Sequence, residues 1–219
     1  MEQSESVVED LMSEHSLLDR VLLIYEEIIS RMENNKPFDR GIIKAAALII
    51  RAFIEDFHEP NEEAYIFPVL IKHHKEVELV NELISQHRLS RTLTDTIIKL
   101  SEEKIINKQL ANGNKQAIDG HKQLLMDPEK INKQQLIINM QKFVYLYRFH
   151  ESREDTVVFR EFKKLISEKE YKRIGKILEE AEEKKFGKDG YENILGFVEA
   201  LEKLLDIYDL KKITNKIKS

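Results

Sequence analysis

Two short stretches of this chain repeat one chemical pattern: Phe57-His58-Glu59-Pro60-Asn61-Glu62-Glu63 and Phe149-His150-Glu151-Ser152-Arg153-Glu154-Asp155. In each, a carboxylate follows a histidine by four residues, and an apolar residue with a phenylalanine comes soon after (Ile66-Phe67, Val158-Phe159). Positions i and i+4 stack on one face of an α-helix, so each stretch can present an imidazole and a carboxylate to one point. Two such helices facing one another would hold a metal ion.

A looser repeat lies upstream of each copy. Ser13-Glu14-His15-Ser16-Leu17 is matched by Ser85-Gln86-His87-Arg88-Leu89. The chain therefore reads as two helical hairpins, each with a lone histidine on its first helix and a His-x-x-x-Glu pair on its second. The candidate metal ligands are His15, His58, Glu62, His87, His150 and Glu154. A single histidine on an apolar seam is ordinarily a hydrogen-bonded core residue. Here all four helices contribute, and burying two carboxylates with four imidazoles would cost on the order of several kcal/mol per unpaired ion without a cation. Six nitrogen and oxygen donors are too many for one tetrahedral zinc but suit two ions sharing carboxylates. The simplest arrangement is two non-haem irons joined by Glu62, Glu154 and a solvent-derived oxo or hydroxo bridge, with manganese or zinc as substitutes.

The helices that must position these groups are visible as periodic apolar seams. A first helix is expected over residues 4–34, with Val8, Leu11, His15, Leu18, Leu22, Tyr25, Ile29 and Met32 at alternating three- and four-residue steps. Asn34-Asn35-Lys36-Pro37 ends it, and Asp39 is placed to cap the next. The second, over residues 41–72, buries Ile43, Ala47, Ile50, Ile54, His58, Glu62, Tyr65 and Val69, with Pro60 kinking it beside the motif. A third starts near Glu76 and turns Val80, Leu83, His87, Thr94 and Ile97 or Ile98 inward. Asn112-Gly113-Asn114 interrupts it, the stretch to Met126 is ambiguous, and Asp127-Pro128 opens a fourth helix. That helix runs to about Ile166 through Leu136, Phe143, Leu146, His150, Glu154 and Val157. Two amphipathic helices, 167–186 and 191–212, follow as packing elements. The expected fold is all-α: an antiparallel up-down four-helix bundle over residues 1–166 with two additional C-terminal helices over 167–219.

Composition narrows the function. Charged residues make up 34% of the 219 positions against only seven glycines and four prolines, which favours helices over sheets. With no cysteine, disulfides, thiolate metal sites and cysteine nucleophiles are excluded. The net charge of −5 comes with scattered Lys and Arg, so nucleic-acid binding has no electrostatic footprint. The longest apolar run, Ala45 to Ile50, is far short of the ~20 residues that cross a bilayer. The acidic start lacks the order of a signal peptide, and a cytoplasmic protein without membrane contact is expected.

The combined motif resembles the hemerythrin-like (HHE cation-binding) family. The similarity covers roughly Val7 to Ile166, with Glu14-His15, His58-x-x-x-Glu62-Glu63 and Ile66-Phe67-Pro68, His87, and His150-x-x-x-Glu154-Asp155. It implies a non-haem di-iron site that binds or senses dioxygen or nitric oxide, with His15, His58, Glu62, His87, His150 and Glu154 in the family's ligand positions. One departure stands out. Oxygen-carrying members have a further histidine one turn after the third-helix ligand, where this chain has Arg91. A di-iron redox enzyme reducing nitric oxide or peroxide, or repairing iron centres, is the alternative. A ferritin-like oxidase would need Glu-x-x-His twice; Glu55 fits before His58, but Tyr147 stands in the second place. Tyr65 and Tyr147 are assigned to core packing, with ligation as the alternative. Glu59 and Glu151 are assigned to a solvated face, with support of imidazole N–H groups as the alternative. His73, His74 and His121 are assigned to the surface.

Overall fold

The structure, a computed structural model, describes residues 7–102 and 128–218, and every regular element among them is helical. Helix α1 is Val7–Glu33. Helix α2 occupies 41–72 as one rod in five pieces: α-helical Gly41–Ile49, π-helical Ile50–His58, a turn at Glu59–Asn61, π-helical Glu62–Ile66 and α-helical Phe67–Lys72. Helix α3 is Val77–Glu102. Helix α4 occupies 128–165, α-helical over Pro128–Arg153 and Phe159–Leu165 with a π-helical turn, Glu154–Val158, between them. Helices α5 (Glu168–Phe186), α6 (Gly190–Leu204) and α7 (Leu210–Lys218) complete the described chain. The expected break at Asn112-Gly113-Asn114, the Asp127 cap and His121 lie outside the described residues.

The turns form where the sequence supplies chain-reversing residues. Asn35 takes a left-handed conformation (φ 52°), and Lys36 N–H returns to the Arg31 carbonyl, closing α1. Asp39 Oδ1 then accepts from Gly41 N–H at 2.8 Å and starts α2. His74 (φ 54°) plays the same part after α2, where Lys75 N–H bonds the Leu70 carbonyl. Both α2 prolines fall in the first turn after a π-helical piece, where the helical bonding pattern changes.

Helices α1 to α4 pack in a ring: α1 on α2, α2 on α3, α3 on α4 and α4 on α1. Ties between α2 and α3 descend one helix as they climb the other: Lys44 to Glu102, Arg51 to Asp95, Glu55 to Thr94 and Glu63 to His87. Two apolar clusters fill the interior. The larger holds Leu22, Tyr25, Ile43, Ile50, Phe53, Ile97, Leu136 and Phe143; the smaller holds Leu11, Ile66, Phe67, Leu83, Val158 and Phe159. The candidate ligands belong to neither cluster, and lie on helices that run through both.

Helices α5 and α6 join these cores, because Ile174 and Leu178 enter the smaller and Val198, Leu201 and, just past α6, Leu205 the larger. Polar ties hold them to α1: Arg20 forks onto Glu202, Tyr171 Oη accepts from Val8 N–H, and Tyr191 Oη donates to the Ser13 carbonyl. The single helix expected over 191–212 is in fact two. It breaks after Leu204 because Leu205 is buried, Asp206 is left-handed (φ 60°) and Arg31 donates to the Leu205 carbonyl; Asp209 Oδ1 then accepts from Lys211 N–H and starts α7.

Candidate metal centre

All six candidate ligands converge. His15, His58, Glu62 and Glu154 form one four-residue group, and Glu62, His87, His150 and Glu154 a second; within each group the donor atoms all lie within 4.8 Å of one another. Glu62 and Glu154 belong to both. His15 and His58 meet Nε2 to Nε2 at 3.0 Å, and His87 and His150 do so at 3.1 Å. That spacing is what two nitrogens ~2.1 Å from one ion and at right angles would show. The carboxylates lie between the pairs. Glu154 Oε2 is 3.4 Å from His15 Nε2 and 3.1 Å from His150 Nε2, and Glu62 Oε2 is 3.5 Å from His58 and 3.6 Å from His87.

The far side of each ring has its own acceptor. His15 Nδ1 is 2.8 Å from Asp155, His58 Nδ1 is 2.5 Å from Glu14, His87 Nδ1 is 2.9 Å from Glu63, and His150 Nδ1 is 3.0 Å from Gln86 Oε1. Carboxylate and amide oxygens only accept, so each imidazole donates from Nδ1 and turns Nε2 inward, where the facing pair can share one proton or offer both lone pairs to a cation. Sequence reasoning did not identify these four acceptors. The signal was there, since each adjoins a ligand in sequence: Glu14 and Gln86 precede the lone histidines, and Glu63 and Asp155 follow the shared glutamates. Aromatic rings close the same repeat, with Phe159 stacked on His15 (5.5 Å) and Phe67 on His87 (5.8 Å).

The π-helical turns explain why the apolar line beyond each motif is displaced. Each i→i+5 bond inserts about one extra residue per turn, and Phe67 N–H reaches Glu62 O just as Phe159 N–H reaches Glu154 O. Ile66 and Val158 are therefore fully buried where simple periodicity placed Tyr65 and Val157, which are only half-buried.

Other sequence assignments separate cleanly. Glu59 and Glu151 are buried, which corrects the solvated-face reading, and neither bonds a ligand imidazole. Glu59 accepts instead from Tyr147 Oη at 2.5 Å and from Ser90, and pairs with Arg91 at 2.7 Å. Glu151 has burial as the main cause of a pKa pushed up to about 8. Tyr147 is core, as expected, with its hydroxyl spent on Glu59. Arg91 turns to Glu59 and the Glu55 carbonyl. His73 and His74 are exposed, as expected.

The electrostatics call for positive charge. All four oxygens of Glu62 and Glu154 are buried without a hydrogen-bond partner. Burial works against a charged His15, yet its bond to Asp155 and the nearby Glu154 carboxylate prevail and push its pKa up to about 10. His58 is likewise held well above its ordinary value, against burial, by Glu62 and Glu14. Burial opposes charge on Glu154 as well, and His150 and His15 outweigh it to hold the carboxyl well below the usual range. The pocket thus needs cations, as protons on imidazole or as metal, and its donors are those that hold iron, manganese or zinc.

A family model, the hemerythrin HHE cation binding domain, matches residues 6–127. The chain belongs to this hemerythrin family. The matched segment contains His15, His58, Glu62 and His87; His150 and Glu154 lie beyond it, and the fold brings them to the same point. The protein is also similar to uncharacterised proteins of Mycobacterium bovis and Mycobacterium tuberculosis. Each is 32% identical over 206 residues, spanning 94% of this chain and 72% of the relative. No solved structure matches it. None of its described helices is long and apolar enough to cross a membrane.

Proposed function

We propose that this hemerythrin-family protein binds two iron ions and through them binds or senses dioxygen or nitric oxide. In this reading α1 to α4 form an antiparallel four-helix bundle spanning residues 1–166, with 167–219 as a packed extension, in a cytoplasmic protein. The observation that carries the proposal is the sharing of two buried, otherwise unpartnered carboxylates by two converging histidine pairs. His15 and His58 would hold one ion, His87 and His150 the other, and Glu62 with Glu154 would bridge them. Iron bound there supplies reversible one-electron redox chemistry and a coordination position for a diatomic ligand. The protein's own part is to fix the four imidazoles through their Nδ1 acceptors and to exclude bulk water with Phe67 and Phe159. The test is to reduce the iron-loaded protein anaerobically and record its absorption spectrum before and after dioxygen or nitric oxide. A ligand-dependent spectrum that reverses when the gas is removed supports binding; no change with either gas would refute it.

A second reading, a di-iron redox enzyme, is favoured by one feature. Tyr147, beside the His150 ring at 5.4 Å, bonds Glu59, which pairs with Arg91 at the rim of a surface cleft between α2 and α3. Arg91, Glu59 and Tyr147 thus link the cleft to the edge of the His150 ring, so a change of charge at the cleft would be felt at the centre. Release of nitrous oxide after mixing the reduced protein with nitric oxide would decide for the enzyme.

A further inference from the structure

The centre is built on an approximate twofold repeat, and one pair of equivalent positions breaks it. His15 corresponds to His87, His58 to His150, Glu62 to Glu154 and Glu63 to Asp155. The supporting bonds obey the same relation: Glu63 holds His87 as Asp155 holds His15. Glu14, which holds His58 at 2.5 Å, corresponds to Gln86, which holds His150 at 3.0 Å. Three imidazoles therefore donate to a carboxylate, and the fourth donates to a neutral amide across the longest of the four distances.

An anionic acceptor on Nδ1–H draws positive charge onto the ring and strengthens Nε2 as a donor to a cation; a neutral amide does this less. The His15–His58 side has two such anions behind it, and the His87–His150 side has one. We propose that the two metal positions are unequal by construction, with Gln86 making the His87–His150 position the weaker-binding and more readily exchanged of the two. Gln86 acts through His150 and is a positioning residue. The inference rests on the two-metal reading above.

Cobalt(II) titration of the metal-free protein, followed by its visible absorption, tests it with two near-isosteric variants. Repulsion between bound ions separates the binding steps in any two-metal site, so the informative quantity is how the spacing changes. Removing or adding support of this kind shifts metal affinity by about 10–100-fold. Gln86→Glu is expected to tighten the weaker step by that factor while leaving the tighter one in place, so the steps approach at the high-affinity end. Glu14→Gln is expected to weaken the tighter step, so they approach at the low-affinity end. A merely structural role would weaken both steps in both variants, and circular dichroism checks that each is folded. Unchanged spacing in Gln86→Glu, or a wider spacing in Glu14→Gln, would overturn the inference while leaving two bound ions. Fewer than two cobalt ions at saturation would overturn the two-metal reading itself.

Discussion

Replacing Glu154 by glutamine should cost metal-dependent stability at both positions at once. Glu154 lies within 3.4 Å of a histidine from each pair, and the glutamine side chain has nearly its shape without its charge. An ion present at ~1,000 times its dissociation constant stabilises a fold by about 4.1 kcal/mol. For a domain of this size that corresponds to about 8–16 °C in Tm, at ~2–4 °C per kcal/mol. Loss of a group that merely supports a ligand weakens affinity by about 10–100-fold, so a shared ligand should cost at least the upper figure. At the same metal concentration the ion would then stand at ~10 times its dissociation constant, worth about 1.4 kcal/mol or roughly 3–6 °C. The assay is anaerobic thermal denaturation with and without iron(II), comparing the metal-induced increment rather than absolute Tm. The substitution also removes the counter-charge of His15 and His150 in the metal-free protein. Glu168→Gln, an exposed change on α5, serves as control. A Glu154→Gln protein that keeps the wild-type increment would refute the assignment of Glu154 as a shared ligand.

Other outcomes follow from the same geometry. Metal loading near pH 7 should release protons, because in the metal-free protein the carboxylates hold protons on imidazoles such as His15, whose pKa is about 10; calorimetry in buffers of different ionisation enthalpy measures this, and a buffer-independent heat would contradict it. Burial raises Glu55 to about 7, against its Thr94 bond and Arg51, so the folded state holds a proton that the unfolded state loses near 4.5. That stability is present below ~4.5 and lost as pH rises to about 7. In urea denaturation Glu55→Gln should therefore match wild type near pH 4.5 and exceed it by up to ~3 kcal/mol at pH 8; parallel pH profiles would count against it. Leu22→Ala, in the larger apolar cluster, should lose about 2–5 kcal/mol while still binding the wild-type number of ions; loss of metal from the folded variant would show the centre to depend on that core.

The convergence of the six candidate ligands was legible in the sequence because they obey helical spacing. His15 and His87 sit on seams that can be followed for several turns, and the His-x-x-x-Glu pairs declare their own geometry. What could not be read depends on departures from that spacing or on contacts between helices. The π-helical turns at Glu62–Ile66 and Glu154–Val158 moved burial from Tyr65 to Ile66 and from Val157 to Val158. Glu59 and Glu151 looked like surface acids because single-helix periodicity says nothing about Tyr147, Ser90 and Arg91 arriving from neighbouring helices. Glu14, Glu63, Gln86 and Asp155 were hidden for the same reason: all four sit beside a candidate ligand on one helix and serve an imidazole on another. The break between α6 and α7 came from an apolar residue, Leu205, entering the core, not from a glycine or proline that punctuates sequence.

X-ray absorption at the metal edge of the iron-loaded protein bears most directly on whether two cations share Glu62 and Glu154. Two ions per chain are expected, in a shell of nitrogen and oxygen only, with metal–metal scattering within ~4 Å. One ion per chain, or two with no metal–metal scattering, would show that the carboxylates do not bridge.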